Sequence, residues 1–263
     1  MKPYYKAKGV VLYLGDCLDV LKTIPAGSID MIYADPPYNL SNGGITCQNG
    51  RMVSVNKGAW DQSKGLDADH QFTLAWLTAC RRVLKDDGTI WVSGTMHNIY
   101  SLGFAMQQIG YKLLNDICWY KPNASPNLSC RYFTHSHETL IWAAKADKSK
   151  HVFNYNEMKS AAGGKQMRSF WAKLNINESP EDIWPVTTPG KKEKLAGRHP
   201  TQKPIALLER IILASTHESD TVLDPFTGSS TTALAALQTK RDFVGIDSNK
   251  EYLKLSVERL KQA

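Results

Sequence analysis

The sequence predicts an α/β fold, because short apolar runs alternate with segments of helical periodicity over most of the chain. Residues 29–34 and 221–223 are apolar runs of strand length, and residues 72–83 repeat apolar side chains at helical spacing. Asp35 and Asp224 come directly after the two apolar runs. Because ligands of open α/β sheets bind beside the carboxyl ends of the strands, these acids predict a binding site there.

The composition is that of a globular protein with a polyanionic partner. Of the 263 residues, 42% are hydrophobic and 22% are charged, and the net charge is +7 with a pI near 9.0. No apolar run approaches the roughly 20 residues that cross a bilayer, and the first residues lack an apolar signal core, so we expect a cytoplasmic protein without a membrane segment. The five cysteines lack CxxC spacing, and His135 and His137 lack a third ligand, so no metal site is predicted.

The first half of the chain predicts a regular succession of strands and helices. Asp16 precedes the first helix, where it can cap that helix or contact a ligand. Residues 39–65 contain five glycines and few regularly spaced apolar positions, which predicts a mobile loop and a lid over the acid at 35. The predicted strands are 10–14, 29–34, 89–93, 113–119 and 140–143, and the predicted helices are 17–24, 72–83 and 97–109.

Asp35 begins an unusual turn, because Pro36, Pro37 and Tyr38 follow it directly. Each proline fixes its own φ and pushes the preceding residue toward extended conformations, so the backbone carbonyls are held in set directions. Such a turn presents several acceptors to one amino group. The alternative from these residues alone is a strand that ends in a proline turn with an acidic cap.

Residues 145–198 interrupt the alternation and are strongly basic. The span contains eleven lysines and arginines against six acids, together with Tyr155, Phe170, Trp171 and Trp184. This excess of five positive charges is most of the net charge of +7, so it predicts a polyanion contact; a solvated insertion is the alternative. Beyond it, the predicted helices are 205–216, one through Leu237, and 250–260, and the predicted strands are 221–223 and 241–246.

A turn of small and acidic residues joins the strand at 221–223 to the next helix. A cofactor can approach the backbone at Gly228, and helix-terminal amides can meet its carboxylate. The turn is not GxGxxG, which argues against a nicotinamide-dependent dehydrogenase. Asp247 follows about 20 residues later, where an acid can accept hydrogen bonds from ribose hydroxyls.

Three motifs resemble those of the beta class of amino-methyltransferases. Residues 35–38 resemble the Asp/Asn/Ser-Pro-Pro-Tyr/Phe signature, in the Asp form most typical of adenine-N6 DNA methyltransferases. Residues 198–204 are nearly identical to a family motif that borders the methionine end of S-adenosylmethionine, and residues 226–230 match Phe-x-Gly-x-Gly except at Ser230. The motif order covers almost the whole chain and is similar to adenine methylases of GATC- and GANTC-type restriction-modification systems.

The resemblance implies a Rossmann-like methyltransferase fold, with a mostly parallel twisted sheet, helices on both faces and one reversed strand. It divides the chain into a catalytic half at 1–144, a target-recognition insertion at 145–198 and a cofactor-binding half at 199–263. The implied cofactor is S-adenosylmethionine, the implied partner is double- or single-stranded DNA, and such enzymes often form homodimers. The expected cofactor contacts are Asp16, Asp35, Thr201, Lys203, Asp224, Phe226, Gly228, Ser229, Ser230 and Asp247, and the expected DNA contacts are Asn123, Asn127, Arg131, Lys165 and Arg168.

The resulting hypothesis is methyl transfer to adenine N6 by Asp35, Pro36, Pro37 and Tyr38. The Asp35 carboxylate and the Pro36 carbonyl would accept the amine hydrogens, and the flipped base would stack on Tyr38. Alternatives are cytosine-N4 methylation, which more often has Ser at 35, an RNA or protein-glutamine methylase, which favours Asn, and a methyltransferase-like DNA-binding protein with little activity. The absence of a Pro-Cys dipeptide argues against cytosine-C5 chemistry.

Overall fold

A computed structural model describes residues 1–41, 43, 45–48, 51–54, 57–121, 124, 126–171, 189 and 201–262 of the chain. Its secondary structure alternates strands with helices, as predicted. The strands are β1 Tyr5–Ala7, β2 Val10–Leu14, β3 Ile29–Ala34, β4 Ile45–Gln48, β5 Arg51–Ser54, β6 Leu84–Gly94, β7 Lys112–Tyr120, β8 His137–Ala144, β9 Phe170–Trp171, β10 Thr221–Asp224 and β11 Asp242–Asp247. The helices are α1 Cys17–Thr23, α2 Leu66–Val83, α3 Ile99–Ile109, α4 Tyr155–Ala161, α5 Ile205–Ser215, α6 Thr231–Gln238 and α7 Lys250–Gln262.

Nine of the strands form one sheet in the order β1-β2-β11-β10-β3-β6-β8-β7-β9. The five strands from β2 to β6 in this order are parallel neighbours. β8 runs antiparallel to both β6 and β7, which is the reversed strand that the resemblance implied, and the short β1 is also antiparallel to its neighbour. The predicted α/β class with a mostly parallel sheet is therefore confirmed.

Two hydrophobic cores lie against the two faces of the sheet. In β3, Met31 and Tyr33 belong to one core, while Ile32 and Ala34 belong to the other, as expected for side chains that alternate along a strand. The first core also takes buried side chains from α5, α6 and α7, and the second takes them from α1, α2 and α3. Each large apolar side chain that is fully buried contributes about 1.5 to 3 kcal/mol, so these two layers hold the sheet rigid.

The strand order reverses between β10 and β3. From β10 the chain passes through α6 to its neighbour β11, whereas from β3 it passes through α2 to β6 on the opposite side. Such a reversal opens a crevice outside the carboxyl ends of the two strands, where ligands of open α/β sheets bind. The polar residues that follow β3 and β10 therefore meet at this crevice.

Several elements differ from the sequence-based prediction. The glycine-containing region 39–65, predicted as a loop, contains the antiparallel hairpin β4–β5. β1 was not predicted, and in the basic span 145–198 the described residues contain α4 and the edge strand β9, which pairs with β7. Trp184, Arg198 and the rest of residues 172–188 and 190–198 of the predicted target-recognition insertion lie outside the described residues. None of the helices in the described part of the chain is long and apolar enough to span a membrane.

Candidate active site

A cavity of about 390 Å³ lies at the carboxyl ends of β2, β3, β10 and β11. Its volume is within the range of about 300 to 1,000 Å³ that is usual for small-molecule sites. The adjacent parallel strands bring together acids that are up to 231 positions apart in the chain, from Asp16 to Asp247. The predicted cofactor residues that line the cavity are Asp16, Asp35, Thr201, Lys203, Asp224, Phe226, Gly228, Ser229 and Asp247.

Asp224 and Asp247 shape the turn between β10 and α6. Asp224 accepts hydrogen bonds from the Phe226 amide at 2.9 Å and the Thr232 hydroxyl at 2.6 Å. Asp247 accepts from the Gly228 amide at 2.9 Å and the Asn249 amide at 2.7 Å. Burial raises the pKa of Asp224 to about 7 and the pKa of Asp247 to about 6.

Phe226 forms an apolar part of the cavity wall. Its ring meets the ring of Trp76 edge-on at a centroid distance of 5.3 Å, and the ring of Phe72 at 6.5 Å. Trp76 is fully buried in α2, so it fixes the position of the Phe226 ring. The cavity consequently combines an aromatic wall with acidic groups.

Ser230 is not among the residues that line the cavity, so its expected contact with the cofactor stays a prediction. Its side chain is fully buried, and its hydroxyl lies 3.1 Å from the Thr227 hydroxyl. Its φ of +54° lies in the left-handed region that favours glycine. Glycine adopts this conformation without strain, which suits its place in the family motif, and Ser230 adopts the conformation here in spite of its side chain.

Asp16 lies both at the start of α1, as a helix cap, and at the wall of the cavity. Its carboxylate caps α1 by accepting a hydrogen bond from the Leu18 amide at 2.8 Å, and the residue also lines the cavity. Capping uses one carboxylate oxygen, so the other can serve a ligand.

Asp35 is held by three side chains. Its Oδ1 accepts hydrogen bonds from the Ser93 hydroxyl at 2.6 Å and the Tyr38 hydroxyl at 2.7 Å, and its Oδ2 accepts from Lys203 Nζ at 2.5 Å. Lys203 Nζ also donates to the Tyr38 hydroxyl at 3.2 Å. Lys203 therefore contacts the proline signature directly, in addition to lining the cavity where a cofactor contact was expected.

Glu138 and Lys121 extend this network on the side of the β7–β8 hairpin. Glu138 accepts a hydrogen bond from the Tyr38 hydroxyl at 3.0 Å and lies 3.5 Å from Lys203 Nζ, and it is paired with Lys121. Burial alone would raise the pKa of Glu138, but the charges of Lys203 and Lys121 outweigh it and leave this pKa below its ordinary value. Two acids, Asp35 and Glu138, thus face two lysines around one phenol.

Asp61 fixes the backbone that follows the signature. Its Oδ1 accepts from the amides of Tyr38 and Asn39, both at 2.9 Å, and its Oδ2 accepts from the Leu40 amide at 3.1 Å and the Ser41 hydroxyl at 2.8 Å. The side chain is 1% exposed, so these charge-assisted bonds act in a low-dielectric environment. A further constraint is the side-chain amide of Asn98, which donates to the Pro37 carbonyl at 3.2 Å.

A family model described as DNA methylase, which covers N6 and N4 methyltransferases, matches residues 29–258. The chain belongs to this DNA methylase family. The match includes the proline signature, the basic span and the glycine turn, so it covers every part of the site described above except Asp16. This DNA methylase is accordingly an S-adenosylmethionine-dependent DNA methyltransferase.

Curated relatives of the DNA methylase are similar over nearly their whole length. The Type II methyltransferase M2.LlaDCHI of Lactococcus lactis subsp. cremoris is 52% identical over 98% of this chain and 92% of its own. The Type II methyltransferase M2.DpnII of Streptococcus pneumoniae is 50% identical over the same shares of the two chains. M2.MboI of Moraxella bovis is 46% identical over 98% of this chain and 91% of its own.

Solved structures share the fold. The crystal structure of M1.HpyAVI in complex with SAM is 26% identical, with a TM-score of 0.66 over 95% of this chain and 98% of that chain. The PvuII DNA methyltransferase, a cytosine-N4-specific enzyme, has a TM-score of 0.73 over 98% of this chain and 88% of that chain. At 21% identity, the second likeness concerns the fold alone.

The cavity of the DNA methylase fits S-adenosylmethionine in its donor set. Asp16 and Asp247 can accept hydrogen bonds from hydroxyl and amino groups, Phe226 offers an apolar surface, Thr201 lines the same cavity, and Lys203 lies beside Asp35. When bound, this cofactor supplies an electrophilic methyl group on a sulfonium. Asp35 lines the same cavity, so the proline signature borders the space in which these residues would hold the cofactor.

The predicted DNA contacts lie apart from the cavity. Asn127 and Arg131 belong to the loop between β7 and β8, which Asn127 organises by donating to the Tyr132 carbonyl at 2.7 Å and accepting from the Ser129 amide at 3.0 Å. Arg131 is exposed in this loop, and Lys165 and Arg168 are exposed in the segment between α4 and β9. Asn123 lies outside the described residues. The role of these residues in DNA binding stays a prediction.

Sequence reasoning did not find Glu138, Lys121 or Asp61 in the DNA methylase. Glu138 follows two histidines that were considered as metal ligands, and Asp61 lies in the region that was predicted to be a loop. No signal in the sequence marked Asp61, because an aspartate is rarely fully buried unless it is paired, and its amide partners follow from the fold. Tyr38 is only 8% exposed, so the stacking of a base on its ring stays a prediction.

Proposed function

We propose that this DNA methylase transfers a methyl group to the N6 amine of adenine at a specific DNA sequence, within GATC. The observation that carries the proposal is Asp35, which lines the cavity with its carboxylate oriented by Ser93, Tyr38 and Lys203. The Asp form of the signature favours adenine N6 over cytosine N4, and the resemblance to GATC-type methylases supports the sequence. The relatives named Type II methyltransferases support a role in restriction-modification.

The chemistry requires a hydrogen-bond acceptor at this place, and the Asp35 carboxylate supplies it. An exocyclic amine is a weak nucleophile because its lone pair is delocalised into the ring. Acceptance of its two hydrogens by the Asp35 carboxylate and the Pro36 carbonyl would localise the lone pair and stabilise the positive charge that develops on nitrogen. Because no covalent enzyme intermediate is needed, the site requires no nucleophilic side chain.

The target base has to leave the duplex to reach Asp35. Unpairing and unstacking cost a few kcal/mol, and a stack on an aromatic side chain returns about 1 to 3 kcal/mol. Tyr38 is the aromatic residue of the signature, and its hydroxyl is 2.7 Å from Asp35, so a base that reached this ring would present its amine near the carboxylate. Phosphate contacts by Arg131, Lys165 and Arg168 would supply the remaining binding energy.

The location of the enzyme in the cell follows from the location of its DNA substrate. The relatives are bacterial, and DNA of bacterial cells lies in the cytoplasm, so we infer a cytoplasmic enzyme that acts on genomic or incoming DNA. Double- and single-stranded DNA are both chemically suitable, because the target amine is the same once the base is unpaired. A homodimer stays a prediction of the resemblance.

Asp35→Ala tests the proposal. We expect the rate of methyl transfer to DNA to fall by about 10²- to 10³-fold, because the variant loses an acceptor that acts in the transition state. The measurement is incorporation of labelled methyl from S-adenosylmethionine into genomic DNA, followed by nucleoside analysis. N6-methyladenine as the product, at mapped GATC sites, supports the proposal; N4-methylcytosine as the product, or a folded Asp35→Ala variant with normal activity, contradicts it.

A further inference from the structure

We propose that Glu138 is a positioning residue for methyl transfer, because its carboxylate competes with Asp35 for the Lys203 ammonium and the Tyr38 hydroxyl. This competition keeps the Asp35 carboxylate able to accept the hydrogens of the target amine. The proposal rests on the proposed function in one respect, namely that the target amine is held by Asp35. It adds a residue of β8 to a reaction that the sequence assigned to the proline signature alone.

The geometry places Glu138 where it can act on two of the three side chains that hold Asp35, namely Tyr38 and Lys203. Its Oε2 lies 3.0 Å from the Tyr38 hydroxyl and 3.5 Å from Lys203 Nζ. The same hydroxyl lies 2.7 Å from Asp35, and the same ammonium lies 2.5 Å from Asp35. A phenol has a single hydrogen to donate, so any share that Glu138 takes is withdrawn from Asp35.

The charges of the network are arranged to sustain this competition. Glu138 and Lys203 are each 8% exposed, so their interaction is weakly screened by solvent. Burial would lower the pKa of Lys203, but Asp35 and Glu138 outweigh it and raise this pKa above its ordinary value. The pKa of Glu138 is lowered, so both groups are charged at neutral pH.

Removal of the negative charge of Glu138 would strengthen the hydrogen bonds of Lys203 and Tyr38 to Asp35. Among the described residues, Asp35 and Glu138 are the carboxylates within 4.0 Å of Lys203 Nζ. Without the Glu138 charge, Lys203 would bind Asp35 more tightly, and the Tyr38 hydroxyl would turn fully to Asp35. Both changes occupy acceptor sites that the target amine needs, so they slow the chemical step rather than weaken binding of the cofactor.

The test compares Glu138→Gln with the wild-type enzyme on a GATC-containing duplex. We expect kcat to fall by about 10²-fold, with the KM for S-adenosylmethionine and for DNA within about 3-fold of wild type. Binding of S-adenosylhomocysteine, measured by calorimetry, should be unchanged, because the effect lies on the side of the amine. A kcat within 2-fold of wild type would overturn the proposal, as would a loss that appears mainly as weakened cofactor binding.

Asp30→Asn is the matched control. Asp30 is also a partly buried acid paired with a lysine, Lys85, at 2.6 Å, but it lies at the opposite end of β3 from the cavity. The same change of carboxylate to amide is expected to leave kcat within 2-fold of wild type. A loss as large as that of Glu138→Gln would show a structural effect common to buried acids and would reject the proposal.

Two further variants separate positioning from folding. If Glu138→Gln does not fold, Glu138→Asp decides, because it keeps the charge but shortens the reach; we expect a kcat loss of about 10-fold, and an unchanged kcat rejects the proposal. In a Lys203→Met background, Glu138→Gln should lower the single-turnover rate by a smaller factor than in the wild-type background, because the competition for the Lys203 ammonium is gone and only the competition for the Tyr38 hydroxyl remains. Losses that multiply fully would reject it.

The product of the wild-type enzyme separates this proposal from the proposed function. If nucleoside analysis found N4-methylcytosine, the adenine assignment would fall, while the ratio of the rates of Glu138→Gln and wild type would still decide the role of Glu138. If N6-methyladenine formed and Glu138→Gln retained full kcat, the adenine assignment would stand and the positioning role would fall.

Discussion

Individual acids in this protein have roles that their neighbours decide. Asp35, Asp61 and Asp224 all lie close to the cavity, yet Asp35 is engaged by a lysine and two hydroxyls, Asp61 by three amides and a hydroxyl, and Asp224 by one amide and one hydroxyl. Under the proposed function, Asp35 exchanges some of these partners for a substrate amine. Asp61 serves the backbone of the signature, because its side-chain partners among the described residues belong to residues 38–41.

The raised pKa of Asp224 predicts that the free energy of unfolding depends on pH. Burial raises its pKa from 3.8 to about 7, so folding favours the protonated form, and its contribution to the free energy of unfolding falls as pH rises from about 4 to 7. We expect Asp224→Asn to remove this dependence. Between pH 5 and pH 8, the stability of the variant relative to wild type should therefore improve by about 2 to 3 kcal/mol.

Chemical denaturation at the two pH values, without cofactor, measures this difference. Asp247 also has a raised pKa and is intact in both proteins, so its contribution to the pH dependence cancels in the comparison. A difference between Asp224→Asn and wild type that is the same at pH 5 and pH 8 would contradict the assignment of a raised pKa to Asp224.

Elements with strong apolar periodicity were predicted well, whereas elements that form through pairing with another strand were predicted poorly. β2 and β3 were predicted to the residue, and α2 was predicted from its buried stripe, although its first turns were missed because Leu66 and its neighbours are exposed. The hairpin β4–β5 was missed because its stability comes from cross-strand pairing in a glycine-containing segment. Periodicity carries no information about such partners.

The sequence likewise predicted one part of the candidate site and missed another. Acids that follow strands were found, because parallel neighbours put their carboxyl ends at one edge and no further knowledge of the fold is needed. Glu138 was missed because it begins the reversed strand β8, and only the order of strands in the sheet brings that end beside Tyr38. The direction of the Ser230 side chain, toward Thr227, was not predicted, because a motif does not state which way a side chain points.

The start of α6 tolerates few side chains at Ser230. The left-handed backbone costs about 1 to 3 kcal/mol for a residue other than glycine, and more for a β-branched one. We expect Ser230→Val to lower the free energy of unfolding by about 2 kcal/mol or more, and Ser230→Gly to stay within about 1 kcal/mol of wild type. Denaturant unfolding of both variants measures these effects.

Cofactor binding provides the second readout for this position. The Ser230 hydroxyl faces Thr227 and not the cavity, so Ser230→Gly should bind S-adenosylhomocysteine within about 3-fold of wild type. A large loss of affinity in a stable Ser230→Gly variant would show that the hydroxyl contacts the cofactor after all.

For the molecule as a whole, the net charge of +7 predicts DNA binding that depends strongly on salt. Arg131 is exposed in the β7–β8 loop, whose ends join the network around Asp35 through Lys121 and Glu138. We expect Arg131→Ala to weaken binding to duplex DNA and to reduce the slope of log K against log salt by about 1, as for one lost phosphate contact. Fluorescence anisotropy at several salt concentrations measures both quantities.

Lys254→Ala is the control for this prediction. Lys254 is an exposed cation of α7 that pairs with Glu251 at 2.8 Å, so its removal changes the net charge by the same amount at a different place. The two variants should differ in slope. Equal slopes would show that total charge, and not the β7–β8 loop, governs binding.

The strand order also determines when, during synthesis of the chain, the complete sheet can form. β10 and β11 lie between β2 and β3, although about 190 residues of chain separate β3 from β10. On the ribosome, β2 and β3 emerge long before the two strands that will bridge them, so a nascent chain carries two open edges through most of its synthesis. Methylation competence therefore arrives in one late step, and unfinished chains are natural clients for chaperones.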